Sequence, residues 1–368
     1  MSVERFHTSV TERQSFRNCR RQWWLEVVRR LRAKNAVEWN LIFGDCVHEA
    51  LAAYYGNKRN TLKMEKAFLK QWTIENDILK ETFGGFYAMG IGDEWVDFQN
   101  KGREMLYHYD VFDRSRKFFD KIIAINVEER SFVDIVYPDQ EQIPEKPLLS
   151  GKIDLVVERS DGIWIWDHKT AMSKPSLRAL DVDDQLTAYC YIWYRHTGDI
   201  PRGAIYNVLV KEPPHPPKLL KSSGKLSTDK AQRTTLELYL EAIKEHGLDK
   251  SDYEDMLNYL NRENRWEQYF VRDGSQRNYE ELLSFEARLF IEYQEMQRAL
   301  AEPELLYPNM SQWNCQNCRV ISICQSMEEM NEPTWLIENQ FRVADPRISI
   351  PAKVASPTWK GVPYAAEE

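Results

Sequence analysis

The sequence predicts an α/β protein, a small mixed sheet flanked by helices inside a larger helical shell. Three observations carry that expectation. Two nearly apolar runs, Lys152–Glu158 and Ile163–Lys169, flank the turn residues Ser160-Asp161-Gly162 and read as paired antiparallel strands. A helical segment around Gln185 leads into another strand-like run, AlaIleTyrAsnValLeuVal at 204–210. Helical periodicity dominates on both sides, through residues 1–120 and again from Thr234 to Ala301.

The elements follow in order. Within 1–120, helical spacing marks ArgArgGlnTrpTrpLeuGluValVal, a helix carrying His48, then Lys63–Leu79 and a segment through Lys101–Tyr109. Residues 121–212 hold the strands and the Gln185 helix, the expected α/β core. Lys211-Glu-Pro-Pro-His-Pro-Pro is a proline-rich exit, followed by a Ser/Gly/Lys loop to about Asp229. Residues 213–301 then read as a helical insertion, either shaping a channel or buttressing the core. A cysteine-bearing segment spans 302–333, and 334–368 forms a proline-containing tail with little periodicity. No internal repeat is visible.

At 368 residues, 43% of them hydrophobic, the chain can bury one large core or two domains. No run approaches bilayer-spanning length, and MSVERFHTSVTERQ lacks the apolar heart of a signal peptide, so a cytoplasmic location is expected. The net charge of −8 disfavours an all-over basic coat, but positive charge is concentrated locally. Between Arg13 and Lys34 lie Arg17, Arg20, Arg21, Arg29, Arg30 and Arg32, opposed only by Glu26. Phe16, Cys19, Trp23, Val27 and Leu31 recur there at helical spacing, which predicts an amphipathic helix whose arginine face is either a nucleic-acid contact or an ordinary solvated face.

Alternation along the second strand puts Asp167 and Lys169 on the face of Ile163 and Ile165. Asp154 lies near the end of the first strand that pairs toward Asp167. An isolated Asp-x-Lys is usually a surface ion pair worth little. Here both strands are nearly apolar throughout, which implies burial on both faces, and buried charges need partners or a metal. Two aspartates and a lysine so placed suit a magnesium site beside a water nucleophile.

Six cysteines in a chain without a secretion signal argue against a disulfide framework. Cys315, Cys318 and Cys324 form C-x2-C-x5-C in a short polar segment. Zinc and an iron–sulfur cluster both want a fourth thiolate. Cys46 and Cys190 stand in apolar helical contexts that suit buried free thiols. Cys19, in an arginine-rich setting, is the better candidate, and its use would pin the two ends of the chain together in a structural centre.

Taken in order, these motifs resemble the RecB-like nucleases of the PD-(D/E)XK superfamily, in the branch carrying an iron–sulfur cluster. Ser15-Phe16 to Cys19, with Trp23 and Trp24, is similar to that branch's first cluster cysteine. Gly44-Asp45-Cys46-Val47-His48 resembles its G-x-x-x-H helix, and Gly151-Lys152-Ile153-Asp154 its G-x-x-D strand. Asp167-His168-Lys169-Thr170 resembles (D/E)-x-K-T, and Gln185-Leu-Thr-Ala-Tyr189 the Q-x-x-x-Y helix. The branch includes CRISPR-associated adaptation exonucleases, AddB-type subunits and phage-encoded relatives. Two departures stand out: Arg20 where proline often follows the first cysteine, and aspartate rather than glutamate as second acid.

The resemblance implies a restriction-endonuclease-like core and a DNA exonuclease acting on linear ends, 5′→3′, with single-strand preference. It implies a role in recombination, repair or phage genome processing, with a helicase or recombinase as partner. It assigns Mg²⁺ or Mn²⁺ to Asp154, Asp167, His48 and the carbonyl of His168, and water orientation to Lys169. Gln185 and Tyr189 would position an acid or the DNA strand, and Glu128 or Glu129 would add a further acid. A [4Fe–4S] cluster would sit on Cys19, Cys315, Cys318 and Cys324. The alternative is a catalytically silent, cluster-stabilised DNA-binding scaffold.

Overall fold

The computed structural model describes residues 6–34, 36–83, 92–115, 121–124, 131–135, 146–263 and 265–344. The N-terminal third is helical: α1 (Val10–Asn18), α2 (Arg20–Trp23), α3 (Trp39–Gly56), α4 (Thr61–Phe83) and α5 (Gly92–Ser115). Beyond it lie α6 (Asp184–Thr197), α7 (Leu236–Glu245), α8 (Glu254–Glu263) and α9 (Tyr279–Ala301). Short helices α10 (Gln312–Cys315), α11 (Ile321–Glu328) and α12 (Thr334–Gln340) follow.

The strands are β1 (His7–Ser9), β2 (Leu31–Ala33), β3 (Lys121–Ala124), β4 (Ser131–Asp134) and β5 (Leu148–Gly151). After them come β6 (Leu155–Arg159), β7 (Gly162–Ala171), β8 (Gly203–Val210), β9 (Phe270–Gln276) and β10 (Phe341–Val343). Five form the central mixed sheet, in the order β3-β6-β7-β8-β9, with β7 and β8 parallel and the other pairs antiparallel. A second sheet, β1-β5-β4, joins the N-terminus to the core, and β2 pairs with β10.

Alternation on the central strands divides two cores. Leu155, Val157, Trp164, Trp166, Ile205 and Leu209 face α3, α4 and α5. Val156, Ile165, Ala204, Tyr206 and Val208 face α6 and α9. The β6–β7 turn is closed as expected by Gly162, whose φ of 131° lies in the region that glycine tolerates best. Helix α6 starts where Asp183 accepts the Leu186 N–H and stops at Gly198 in the left-handed region.

Three expectations need correction. The run Lys152–Glu158 is not one strand: β5 and β6 lie in different sheets, and Lys152, Ile153 and Asp154 make the corner between them. The stretch Thr234–Ala301 is not wholly helical, because Phe270–Gln276 forms β9 at the edge of the central sheet. The arginine-rich segment is not one amphipathic helix. It breaks at Cys19, where the backbone is extended, and passes through α2 and a π-turn at Trp24–Val28 before β2. Four of its cations are used internally: buried Arg13 pairs with Asp184 (3.2 Å) and Glu292 (2.6 Å), Arg17 with Asp184 (2.8 Å), Arg20 with Glu295 (2.9 Å) and Arg21 with Glu328, while Arg29 and Arg30 are exposed.

Candidate active site

The candidate site lies where α3 crosses the C-terminal half of β7. Asp154, at the corner before β6, comes level with Asp167, since the adjacent pair in register is Leu155 with Trp166. Gly151 makes this corner possible. A Cβ there would lie 2.6 Å from Ile192 Cδ1 and 3.1 Å from Tyr189 Cε1, so glycine lets β5 approach α6. His48 projects from α3 on the other side, with Nδ1 3.3 Å from Asp154 Oδ1 and Nε2 2.8 Å from the carbonyl oxygen of His168. The second oxygen of Asp154 accepts the His168 backbone N–H at 2.7 Å. Lys169 Nζ lies 2.8 Å from Asp167 Oδ2 and 5.6 Å from the centre of the Tyr206 ring. The structure thus brings His48, Asp154, Asp167, His168 and Lys169 together.

Gln185 and Tyr189 pair along α6, Gln185 Nε2 donating to the Tyr189 hydroxyl at 2.9 Å. The Tyr206 hydroxyl donates to Asp183 Oδ2 at 3.0 Å and lies 3.5 Å from Gln185 Oε1. Tyr189 is close enough to Asp167 and Asp154 for their charge, after burial, to help push its phenol well up. Glu128 and Glu129 lie outside the described residues.

The carboxylates titrate in opposite directions. Burial would raise both. At Asp154 the charge and hydrogen bond of His48, with help from the His168 N–H, override burial and hold the carboxyl below its usual range. At Asp167 burial, with the neighbouring Asp154 carboxylate, outweighs the pull of Lys169 and the weaker one of His48, so its pKa is pushed up to about 6. His48 is raised despite burial, because Asp154 favours its protonated form. Burial lowers His168 to about 3, leaving a neutral ring.

A buried polar network behind His168 was missed at the sequence level. Its ring stacks on Tyr55 (centroids 5.8 Å apart, 13°), and its Nδ1 lies 3.0 Å from Asn207 Nδ2. Arg272 Nε donates to Asn207 Oδ1 (2.8 Å), and its Nη2 to the Tyr109 hydroxyl (2.8 Å) and Asp113 Oδ1 (2.5 Å). The network fixes the ring and with it the carbonyl that faces His48. A polar Asn207 inside an otherwise apolar run was the one local signal of it.

Among the described residues, no three His, Cys, Asp or Glu side chains already close around a metal position. The donor set still fits a hard divalent cation: two buried carboxylates, an imidazole and a carbonyl oxygen converge. Asp167 Oδ2 is buried, with an ion pair to Lys169 but no hydrogen bond of ordinary geometry. Remote from this group, Cys19, Cys315, Cys318 and Cys324 are all free and line one cavity of about 20 Å³. The Asn309 N–H points to Cys19 Sγ (3.4 Å) and Arg21 Nη1 to Cys324 Sγ (3.8 Å), while burial raises the Cys324 thiol despite Arg21 and pushes Cys318 up to about 11. Cys46 and Cys190 are buried elsewhere.

No helix among the described residues is long and apolar enough to cross a membrane. A family model described as the PD-(D/E)XK nuclease superfamily matches residues 7–325. No curated protein matches the chain.

Proposed function

The chain belongs to the PD-(D/E)XK nuclease superfamily, and from that membership we propose a metal-dependent DNA exonuclease that hydrolyses phosphodiester bonds at linear ends. The observation that carries the proposal is the convergence of Asp154, Asp167, His48 and Lys169 at one buried corner of the sheet. Single-strand preference, 5′→3′ polarity and a place in recombination, repair or phage genome processing are proposed on the resemblance alone, as is delivery of the DNA by a helicase or recombinase.

Asp154, Asp167, His48 and the His168 carbonyl would hold Mg²⁺ or Mn²⁺. When bound, such an ion supplies charge neutralisation at the scissile phosphate and makes a water easier to deprotonate. Lys169, whose side chain is 37% exposed, reaches from Asp167 toward solvent and so toward the phosphate. It orients the attacking water and stabilises the negative charge that builds on the phosphoryl oxygens. Water adds to phosphorus, the P–O ester bond breaks, and the leaving oxygen takes a proton. Gln185 and Tyr189, locked to each other, hold the wall that faces Asp167 and position it rather than react.

We assign the four cysteines around the small cavity to a [4Fe–4S] cluster with a structural role. Anaerobically purified protein should be brown and carry iron and acid-labile sulfide, whereas a colourless zinc protein overturns the assignment.

The activity is tested by a time course on DNA labelled separately at each end, single- and double-stranded, with Mg²⁺ or Mn²⁺. Lys169→Ala should cut the rate by about 10²–10⁴-fold, and the label released first reports polarity. Wild type that carries its cluster and cleaves nothing under either ion overturns the enzyme reading and leaves a DNA-binding scaffold.

A further inference from the structure

Lys211 follows β8 directly and is 4% exposed, yet its ammonium faces no carboxylate among the described residues. Its polar contact is the side chain of Asn40, with Nζ donating to Oδ1 at 2.6 Å, and its apolar one the Phe43 ring, 5.1 Å away. A buried ammonium held only by a neutral amide is costly, and such a charge is stable where an anion comes to it. Asn40 is itself exposed, in the first turn of α3. That helix starts without a side-chain cap, so its dipole adds to the attraction for an anion. The carboxylate at this end, Glu38, is engaged by Arg319 and lies near Arg32.

A second observation points the same way. Asn40, Gly44 and His48 recur at four-residue spacing, so they form one solvent-reached ridge along α3 that ends at the candidate metal site. Glycine is a poorer helix former than alanine in a helix interior, so Gly44 is unfavourable for α3 by itself. The protein's own packing does not require it: a Cβ there would find Thr170 Oγ1 at an unstrained 3.9 Å. The bare backbone leaves room over the ridge for something that is not part of this chain.

Resting on the nuclease reading, we propose that Lys211 and Asn40 form a phosphate-binding point that grips the substrate strand away from the bond being cut. An arriving phosphate replaces Asn40 Oδ1 as acceptor for the Lys211 ammonium and takes a hydrogen bond from Asn40 Nδ2. Eight residues of helix separate Asn40 from His48, about 12 Å. That span covers a few nucleotides of a stacked strand at about 3.4 Å each. Lys211 and Asn40 are thus positioning residues that set where the strand lies, not catalytic ones.

The test measures binding of labelled single-stranded oligonucleotides in EDTA across a salt series, with wild type and Lys211→Met, beside cleavage assays with Mn²⁺. The variant should bind about tenfold more weakly, and its salt dependence should be shallower by about 0.7, one phosphate's share. Oligonucleotides carrying one uncharged methylphosphonate should lose affinity for wild type at a single position a few nucleotides from the cut. Lys211→Met should not sense that position. Equal affinity and salt slope in the two proteins, with both cleaving DNA, overturns the phosphate assignment and leaves the nuclease standing. Wild type that neither binds nor cleaves overturns both. If Lys211→Met fails to fold, the methylphosphonate scan on wild type decides: a flat profile overturns the proposal.

Discussion

Two aspartates of the same chemistry sit at the candidate site in unequal surroundings, and this has a consequence for stability. Asp154 is anchored by His48 and the His168 N–H, so Asp154→Asn should destabilise the metal-free protein by about 1–3 kcal/mol. Asp167 is raised to about 6, so above that pH its buried charge opposes folding. Between its ordinary value of 3.8 and 6 the folded state binds the extra proton, and the wild type loses stability as pH rises through that window. Asp167→Asn, measured in EDTA, should therefore melt higher than wild type at pH 8, with the gap closing toward pH 4, while cleavage is lost. A variant that melts lower at pH 8 contradicts the burial argument. At this scale the sequence was most informative. His48, Asp154, Asp167, Lys169, Gln185 and Tyr189 were legible because each sits in a short motif. Tyr55, Asn207 and Arg272 were not, since the network that fixes His168 draws on α3, β8 and β9, and only folding makes them neighbours.

Among the elements, β9 escaped the sequence because FVRDGSQ lacks apolar alternation and carries Asp273-Gly274, a dipeptide that reads as a turn rather than as a strand interior. It is an edge strand, and its pairing depends on Gly203 of β8. A Cβ at Gly203 would collide with the Ser275 carbonyl oxygen and come within 2.8 Å of Gln276 Cα and 2.9 Å of Trp164 Cζ3. Gly203→Ala should cost about 1–3 kcal/mol, and hydrogen exchange should show protection lost in β9 before β6 and β7. Even protection loss across the sheet would count against this. The arginine-rich segment was recognised for its charge but not for its use. Arg13 is 1% exposed and ties α1 to Asp184 of α6 and Glu292 of α9. Arg13→Ala takes the buried cation from Asp184 and Glu292, which keep the partly exposed Arg17 as partner, and should cost about 1.5–3 kcal/mol, a loss read by urea titration. A cost under 1 kcal/mol would restore the solvated-face reading of that helix.

For the molecule as a whole, the sequence conveyed the central sheet and its helical covers. It did not convey that the covers are two distinct cores, because that division depends on which helices return to which face. The cysteine assignment belongs at this scale too. Cys19→Ser and Cys324→Ser should each lose iron and lower Tm, and limited proteolysis should then cut 302–344 while the β6–β9 sheet survives. Loss of iron without new cleavage in that segment would show that the cluster does not staple the ends. The pairing of β2 with β10 sets a timetable as well. Leu31 leaves the ribosome some 310 residues before its partner Val343, a delay of about 15–60 s at ordinary rates of synthesis. Through that interval Leu25 and Leu31 lack Ile323 and Phe341, the side chains that cover them in the finished protein. The N-terminal segment is thus a nascent-chain liability until β10 emerges to pair with β2.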